Sequence, residues 1–399
     1  MNIIVLAIDR LHAGYLGPYG NTWVGTPAFN RLAAEGFTFD HVISDCPTLE
    51  AFYRAVFTGE HALEPAAANA TRLPLQVFAD EPLVDAPEMS PTVLVEKPVA
   101  QTAASAEETH LATFFSAAID ALGSAPRPLR ALLHVASLGR VWDAPLEYRN
   151  RYSDTEEALP PEFVEVPRLV LPQHYDPDTL LGYCQAYAGQ VGVLDECLAG
   201  LLEFLDESAL TQDTLLAVTA PRGIALGEHR RIGAWDEVLY GETVHVPLLM
   251  RLPDGLGQAC RSQALVQPGD LFATFTEWLG QPPVAEQSML SPRSLLPIIG
   301  GEVDVLRDRA AAMSPAGERG IRTAAWYLRK LAGLGVDPDP AVDCQLYTKP
   351  DDRWETNDVA NRCPEIVELL EQALAEVESG IGAVSMLAPL ADVLSSPWR

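Results

Sequence analysis

The sequence has few lysines and no long apolar run, and each of these gaps excludes a class of protein. Only three of its 27 basic residues are lysines, and 55 acidic residues give the chain a formal net charge of −28. Such an acidic surface repels nucleic acid and anionic membranes. No apolar stretch approaches the roughly 20 residues that a membrane-spanning helix needs. We therefore expect neither nucleic acid nor a membrane among the partners of this protein.

The cysteines and the start of the chain bear on metal sites, disulfide bonds and cellular location. The six cysteines are scattered without Cys-x-x-Cys spacing, so the sequence supports neither a zinc site nor a disulfide framework. The chain begins at its first predicted strand, with no charged leader segment and no small-residue cleavage site. From these features we predict a cytoplasmic protein.

The chain does contain ample apolar sequence for a core, at 48% of 399 residues. Its clearest element runs from Asn2 to Ile8, an almost unbroken apolar run with four β-branched residues. This pattern predicts a strand buried on both faces of a parallel sheet. Asp9 follows at once. Ligands gather at the carboxyl ends of strands in open α/β sheets, so Asp9 is either a site residue or the cap of the next turn.

A helix is predicted between Thr26 as N-cap and Gly36 just past its end, with Pro27 at the first helical position. His134 lies inside another predicted strand, which favours a hydrogen-bonded core histidine over a site residue. Residues 146–175 are rich in Pro, Arg and Glu and are predicted to form a long surface loop, a candidate lid. Apolar periodicity and punctuating residues predict further strands at 75–79, 129–137 and 214–219, and helices at 108–122, 179–207 and from Pro364 to just before Gly380.

These pieces together resemble the sulfatase family of the alkaline phosphatase superfamily. That family opens with an apolar strand ending in Asp-Asp, a Tyr-Gly loop and a helix that begins Thr-Pro and ends Glu-Gly. The matching pieces of this chain are Ile8-Asp9-Arg10-Leu11, Gly17-Pro18-Tyr19-Gly20, Thr26 through Gly36, Arg54 to Gly59, Leu226-Gly227-Glu228-His229, Glu242 through Leu249, and Asp270 through Thr274. The similarity extends essentially from end to end.

The resemblance implies an α/β fold with a large mixed, mostly parallel sheet flanked by helices, which we assign to residues 1–300. It also implies a small C-terminal α+β domain of sheet and helix, which we assign to residues 301–399.

The family's divalent cation is the first point of departure. Members hold it with an Asp-Asp pair after the first strand and an Asp-Asn or Asp-His pair after a later one. Here Asp9 is kept as the residual ligand position, but Arg10 follows it, and Pro221 and Arg222 replace the second pair. Arginine is always protonated in proteins and repels a metal ion. We therefore predict no cofactor for this chain.

The family's nucleophile is the second point of departure, because its Cys/Ser-x-Pro-x-Arg motif is absent. Alignment on Thr58-Gly59 puts Leu49 at the nucleophile position, and a slip of one residue offers Thr48 with Arg54 as the family's arginine. Thr48 is a candidate nucleophile, but helix N-capping is its plainer role. His229 is a candidate contact for catalysis or binding, or a packed residue.

Two hypotheses about function follow from these substitutions. In the first, the chain has lost metal-dependent sulfate-ester hydrolysis. Either Arg10 and Arg222 pair with Asp9 and close the old site as an ion-pair cluster, or Arg10, Arg54, Arg222 and His229 bind a small anion in a regulatory or scaffold role. In the second, it is an active hydrolase of sulfate or phosphate esters, in which Asp9, Thr48 and His229 act with calcium or magnesium recruited through carboxylates such as Asp80 or Glu81. A protein partner or homo-oligomer remains open in both. Whether the chain is an enzyme is left undecided by the sequence.

Overall fold

The computed structural model describes residues 1–67, 70–83, 90–95, 101–154, 159–285, 288–331, 343–380 and 390–395. The chain divides into two compact units, each formed from separate stretches of sequence. The first unit comprises Met1–Asp40, Pro74–Trp235 and Pro247–Arg261, and the second comprises His41–Leu73, Asp236–Val246 and Ser262–Arg399. The predicted boundary near residue 300 stays a prediction.

The described residues form fifteen strands, and eight of them make up the main sheet, with β1 near its middle. The strands are β1 (Asn2–Ile8), β2 (Phe37–Ile43), β3 (Gln76–Ala79), β4 (Thr92–Val93), β5 (Arg130–Val135), β6 (Leu169–Val170), β7 (Thr214–Thr219), β8 (Ala225–Leu226), β9 (Arg231–Gly233), β10 (His245–Arg251), β11 (Cys260–Val266), β12 (Arg309–Met313), β13 (Arg319–Thr323), β14 (Trp326–Lys330) and β15 (Cys344–Thr348). Their order in this sheet is β11-β2-β10-β7-β1-β5-β3-β4. Strand β1 runs parallel to both of its neighbours, and β10 is antiparallel to β7. The predicted mixed, mostly parallel sheet is confirmed.

Strand β1 behaves as its composition predicts. Every residue from Asn2 to Ile8 is buried. Its last residues align with His134 and Val135 of β5 on one side, and Ala7 aligns with Thr219 of β7 on the other. The parallel register brings the carboxyl ends of these three strands to one edge of the sheet, which is where Asp9 lies. His134 is fully buried within β5, as predicted for a core histidine.

The four helices whose spans were predicted from the sequence are all present, and their ends differ from the predicted ones by at most two residues. The α-helices of the described residues are α1 (Pro27–Glu35), α2 (Leu49–Thr58), α3 (His110–Ser124), α4 (Ser137–Arg140), α5 (Leu146–Asn150), α6 (Pro177–Glu207), α7 (Gly241–Val244), α8 (Gly269–Trp278), α9 (Leu296–Ile299), α10 (Pro364–Ser379) and α11 (Asp392–Ser395). Within the described residues, no helix is both long enough and apolar enough to cross a membrane.

Helix α1 begins as predicted, but its N-cap is supplied from elsewhere. The Thr26 side chain caps no helical N–H and instead accepts a hydrogen bond from the Gly17 N–H at 2.9 Å. The carboxylate of Asp195, on α6, accepts the N–H groups of Ala28 and Phe29, each at 3.0 Å. Burial raises the pKa of Asp195 to about 6, against the effect of these two donors. A tertiary contact has therefore replaced the local cap.

The prediction of one long loop over residues 146–175 was right only in part, because the span also contains a short helix and a short strand. Helix α5 follows immediately after Pro145, and β6 pairs antiparallel with β9 in a three-stranded sheet with β8. The buried Arg149 side chain donates to the carbonyl oxygens of Trp142 and Pro161 and so ties the start of this segment down. The lid hypothesis falls partly on residues 155–158, which lie outside the described part.

The second unit contains the predicted small sheet-and-helix arrangement. Strands β12 to β15 form an antiparallel sheet in sequence order. One face of this sheet, through Ile321, Leu328 and Leu346, packs with Leu370 and Leu374 of α10 in one apolar cluster. All six cysteines of the chain lie in the described residues, and none is in a disulfide.

Candidate functional site

Asp9 and Arg222 form the centre of the candidate site, at the carboxyl edge of the main sheet in the first unit. The Asp9 backbone N–H is fixed to the carbonyl oxygen of Val135 at 2.8 Å. The Arg222 guanidinium grips both carboxylate oxygens of Asp9, with Nε 2.9 Å from Oδ1 and Nη2 3.2 Å from Oδ2. Only 4% of Asp9 is exposed. This is a buried, two-point ion pair of the kind that the planar guanidinium forms best.

Arg10 sits beside this pair in a left-handed backbone conformation, with φ of 64°. Its N–H donates to the Arg222 carbonyl oxygen at 3.0 Å, and its own carbonyl oxygen accepts from the Tyr187 hydroxyl at 2.8 Å. Its side chain donates from Nη1 to the Gly223 carbonyl oxygen at 3.1 Å, while Nε lies 3.9 Å from Asp9 Oδ2. Left-handed non-glycine residues persist where their surroundings over-determine them, as these contacts do here.

The electrostatics of this edge favour the ionised carboxylate. Burial alone would raise the pKa of Asp9, but the charges of Arg222 and Arg10 outweigh it and hold that pKa below its usual value. Burial lowers the pKa of the neighbouring His134, which keeps that ring neutral at neutral pH. The edge therefore combines one carboxylate with two guanidinium groups.

The residues at this edge do not fit the divalent cation that the family resemblance implies. A cation would need Asp9, and both oxygens of Asp9 are already bound by Arg222. Nowhere in the described residues do three or more His, Cys, Asp or Glu side chains come together in an arrangement that could hold a metal ion. Positive charge at positions 10 and 222 opposes metal binding at the same place.

The carboxylates proposed for a rearranged metal site are also engaged. Asp80 accepts the N–H groups of Ala136 and Ser137 at 2.8 and 3.1 Å and lies 3.5 Å from Nε2 of His110. Glu81 is in an ion pair with Arg140. These contacts tie the β3 end to the β5–α4 turn, which is a structural use of both side chains.

His229 lies in the first unit, in the turn between β8 and β9, and takes a left-handed conformation with φ of 52°. Its neighbour Glu228 pairs with Nε2 of His12 at 3.3 Å and accepts the Leu226 N–H at 2.7 Å. Burial would raise the pKa of Glu228, but the contact with His12 lowers it. Glu228 is thus used locally, and the predicted roles of His229 in binding or catalysis stay predictions.

Thr48 and Arg54 belong to the second unit. Thr48 is the N-cap of α2, where its Oγ1 accepts the Ala51 N–H at 3.3 Å, and it lies 3.6 Å from the Cys46 sulfur. Burial raises the pKa of the Cys46 thiol to about 11. Arg54 donates from Nη2 to the His61 carbonyl oxygen at 3.0 Å. The capping role of Thr48 is confirmed, and an anion-binding role of Arg54 stays a prediction.

We expect Thr48→Ala to lower the free energy of unfolding by about 1 kcal/mol, because α2 loses its only side-chain cap at that position. Thr48→Ser keeps the hydroxyl and should stay close to the parent protein. Urea denaturation of the two variants measures the difference. If T48A instead kept the stability of the parent protein but lost an ester-hydrolysing activity, Thr48 would have a role in catalysis.

Sequence reasoning missed the residues that hold Arg10 in place. The Tyr187 hydroxyl bridges the site by accepting the His12 N–H at 2.9 Å while it donates to Arg10. Gly139, in α4, packs against the pair so closely that an added Cβ would lie 2.9 Å from Arg10 Cγ and 3.2 Å from Asp9 Oδ2. The aromatic stripe of α6 predicted Tyr187 only as a core residue, and no local signal marked Gly139.

The chain is an α/β protein whose candidate site lies at the carboxyl edge of a large mixed, mostly parallel sheet. A sequence model of the sulfatase family matches residues 76–281, which is more than half of the chain. The chain belongs to the sulfatase family, and the resemblance seen in its motifs is confirmed.

Several known proteins are similar to parts or all of the chain. An N-acetylglucosamine-6-O-sulfatase of Bacteroides thetaiotaomicron is 27% identical over 208 residues, which cover 48% of this chain and 35% of that protein. The multifunctional alkaline phosphatase superfamily protein PehA of Trinickia caryophylli is 32% identical over 120 residues, which cover 28% and 21% of the two chains. The matched stretches therefore span about a third or less of these relatives' own lengths.

A solved structure resembles the chain over nearly its whole length. The phosphonate monoester hydrolase of Agrobacterium radiobacter superposes with a TM-score of 0.73 at 16% identity and covers 95% of both chains. At this level of identity the similarity shows a shared fold.

Proposed function

We propose that this sulfatase-family chain has lost metal-dependent hydrolysis of sulfate esters and instead binds a small oxyanion at Arg10 and Arg222. One observation carries the proposal: the Arg222 guanidinium occupies both oxygens of Asp9, the one family ligand position that the chain keeps. A fixed side-chain cation is bound to Asp9, the residue that the family resemblance implies as a ligand of an exchangeable metal ion. Lewis-acid polarisation of a sulfate oxygen would then have no metal to supply it.

The nucleophile position supports the same conclusion. Leu49 stands where simple alignment places the nucleophile, and its side chain offers no reactive atom. Thr48 is the alternative nucleophile, but its hydroxyl oxygen accepts the Ala51 N–H as the N-cap of α2. Activation of a threonine hydroxyl requires an adjacent base or a metal ion. Loss of the nucleophile and of the metal site are independent changes that point to one outcome.

The chemistry that remains is recognition of an anion. Arg10 and Arg222 follow two neighbouring strands, β1 and β7, at the same edge of the sheet. The Arg10 N–H donates a hydrogen bond to the Arg222 carbonyl oxygen. Guanidinium groups bind carboxylate, phosphate and sulfate groups through paired N–H donors. We therefore propose a regulatory or scaffold protein that responds to a small oxyanion.

The names of the relatives suggest which substrates to test. Sulfate esters and phosphonate monoesters are named among them, and the alternative hypothesis for this chain is turnover of a sulfate or phosphate ester with a rearranged metal site. An aryl sulfate, an aryl phosphate and an aryl phosphonate monoester therefore form a suitable panel.

The experiment combines elemental analysis of the purified full chain with turnover assays on this panel, before and after chelation. We expect no stoichiometric calcium, magnesium, manganese or zinc, and no turnover with or without added cations. An active sulfatase treated in parallel controls for assay conditions. Stoichiometric metal together with turnover that disappears on chelation would refute the proposal and support the active hydrolase.

A further inference from the structure

The planar guanidinium of Arg222, here called the Arg222 fork, offers one pair of N–H donors for which two anions compete. Its Nε and Nη2 groups are the pair that would meet an external carboxylate or oxyanion side-on. In the structure both are bound to Asp9, at 2.9 and 3.2 Å. An anion that uses the same fork must first displace the Asp9 carboxylate.

We infer that Asp9 is an internal competitor that holds the oxyanion site closed until a ligand displaces it. The inference rests on the proposed function and adds its regulation. The former metal-ligand position becomes an autoinhibitory contact, and the protein binds its ligand more weakly than the two arginines alone would allow.

The position of Asp9 makes it an effective competitor. Its backbone is fixed at the end of β1 by the bond to Val135, so its carboxylate is delivered to Arg222 without any chain ordering. Arg10 places a second positive charge near the Asp9 carboxylate, because its Nε lies 3.9 Å from Oδ2. Gly139 packs against the same carboxylate, since an added Cβ there would lie 3.2 Å from Oδ2. An intramolecular group held this way acts at a high effective concentration.

The size of the effect follows from the fraction of molecules in which the fork is open. Apparent affinity equals intrinsic affinity multiplied by that fraction. Asp9→Asn keeps the shape of the side chain and one carbonyl acceptor but removes the charge. Bonds to a charged acceptor are about twice as strong as neutral ones, so the asparagine competes far less well. We expect D9N to bind inorganic phosphate about tenfold more tightly or better.

The test is a calorimetric titration of inorganic phosphate into the full chain, with chelator present throughout. Asp40→Asn is the matched control, because Arg261 also binds Asp40 through two nitrogens, with Nε 3.2 and 3.1 Å from Oδ1 and Oδ2 and Nη2 bonded to Oδ1. We expect D9N to gain affinity and D40N to match the parent chain. Equal phosphate affinity of D9N and the parent chain, including no binding by either, would overturn the inference.

A D9N chain that folds poorly still tests the idea. An external anion then takes the place of the missing carboxylate, so high phosphate concentrations should restore its thermal transition, by ordinary linkage of binding to folding. Failure of phosphate to raise the transition of D9N more than that of D40N would contradict autoinhibition. The proposed function fails separately, through metal-dependent turnover by the parent chain.

Discussion

Arg222→Met is expected to lower the free energy of unfolding by about 3–5 kcal/mol at neutral pH, because it leaves a buried carboxylate without its main partner. Asp9 is 4% exposed and cannot recover hydration when the guanidinium is removed. Methionine fills a similar volume, so the loss comes mainly from charge rather than from packing. Urea denaturation of the parent and R222M chains measures the difference.

The pH dependence of the two chains should differ in sign. In the parent chain the pKa of Asp9 is lowered, so the contribution of the pair is complete above the usual carboxyl pKa and is lost as pH falls through the folded value. In R222M we expect burial to raise that pKa, so the variant gains stability as pH falls. The destabilisation should therefore shrink between neutral pH and about pH 4.

Arg261→Met provides the control for this prediction. Its partner Asp40 is also gripped at two points, but the Arg261 side chain is 57% exposed. Exposed pairs contribute about 0–1 kcal/mol. Similar losses in R222M and R261M, or a loss in R222M that persists unchanged in acid, would show that the Asp9 pair is not the buried ion pair described above.

Much of the fold could be predicted because buried parallel strands and long helices leave strong periodic signals. β1 is a continuous apolar run, and its burial on both faces follows directly. The apolar stripe of α6 extends over many turns, so its existence was clear although its start was placed two residues late. The five-residue helix α5 is too short for such periodicity, and its Pro- and Arg-rich surroundings indicated a loop.

The candidate site was only partly predictable. Only the resemblance to the family's two ligand pairs connects Asp9 with Arg222 in the sequence. The two residues are 213 positions apart, and no spacing rule relates them. The hydrogen bond between Tyr187 and His12 joins residues 175 positions apart. The two hydrogen bonds by which Asp195 caps α1 join residues 167 and 166 positions apart. In the case of α1, the local sequence named Thr26 as the cap, and tertiary structure supplied a stronger acceptor.

Asp270→Ala is expected to cost about 3–5 kcal/mol of stability in the second unit, because it leaves the buried Arg307 guanidinium without its carboxylate. Asp270 is fully buried in the first turn of α8. Arg307 grips it at two points, with Nη1 2.5 Å from Oδ2 and Nη2 2.6 Å from Oδ1. The same oxygens accept the N–H groups of Gln267 and Arg293, each at 2.8 Å. One carboxylate thus joins three separate stretches of chain.

Asp308→Ala is the matched control in the same unit. Asp308 accepts two hydrogen bonds from Arg309, at 2.9 and 3.1 Å, but its side chain is 36% exposed. The buried Arg309 also keeps a second carboxylate, because its Nη1 lies 3.6 Å from Oε2 of Glu376. We expect a change of about 1 kcal/mol or less for this variant. Urea denaturation followed by fluorescence compares the two. If D270A and D308A lost similar amounts, the Asp270 carboxylate would be solvated rather than enclosed, and the strength assigned to its four contacts would be wrong.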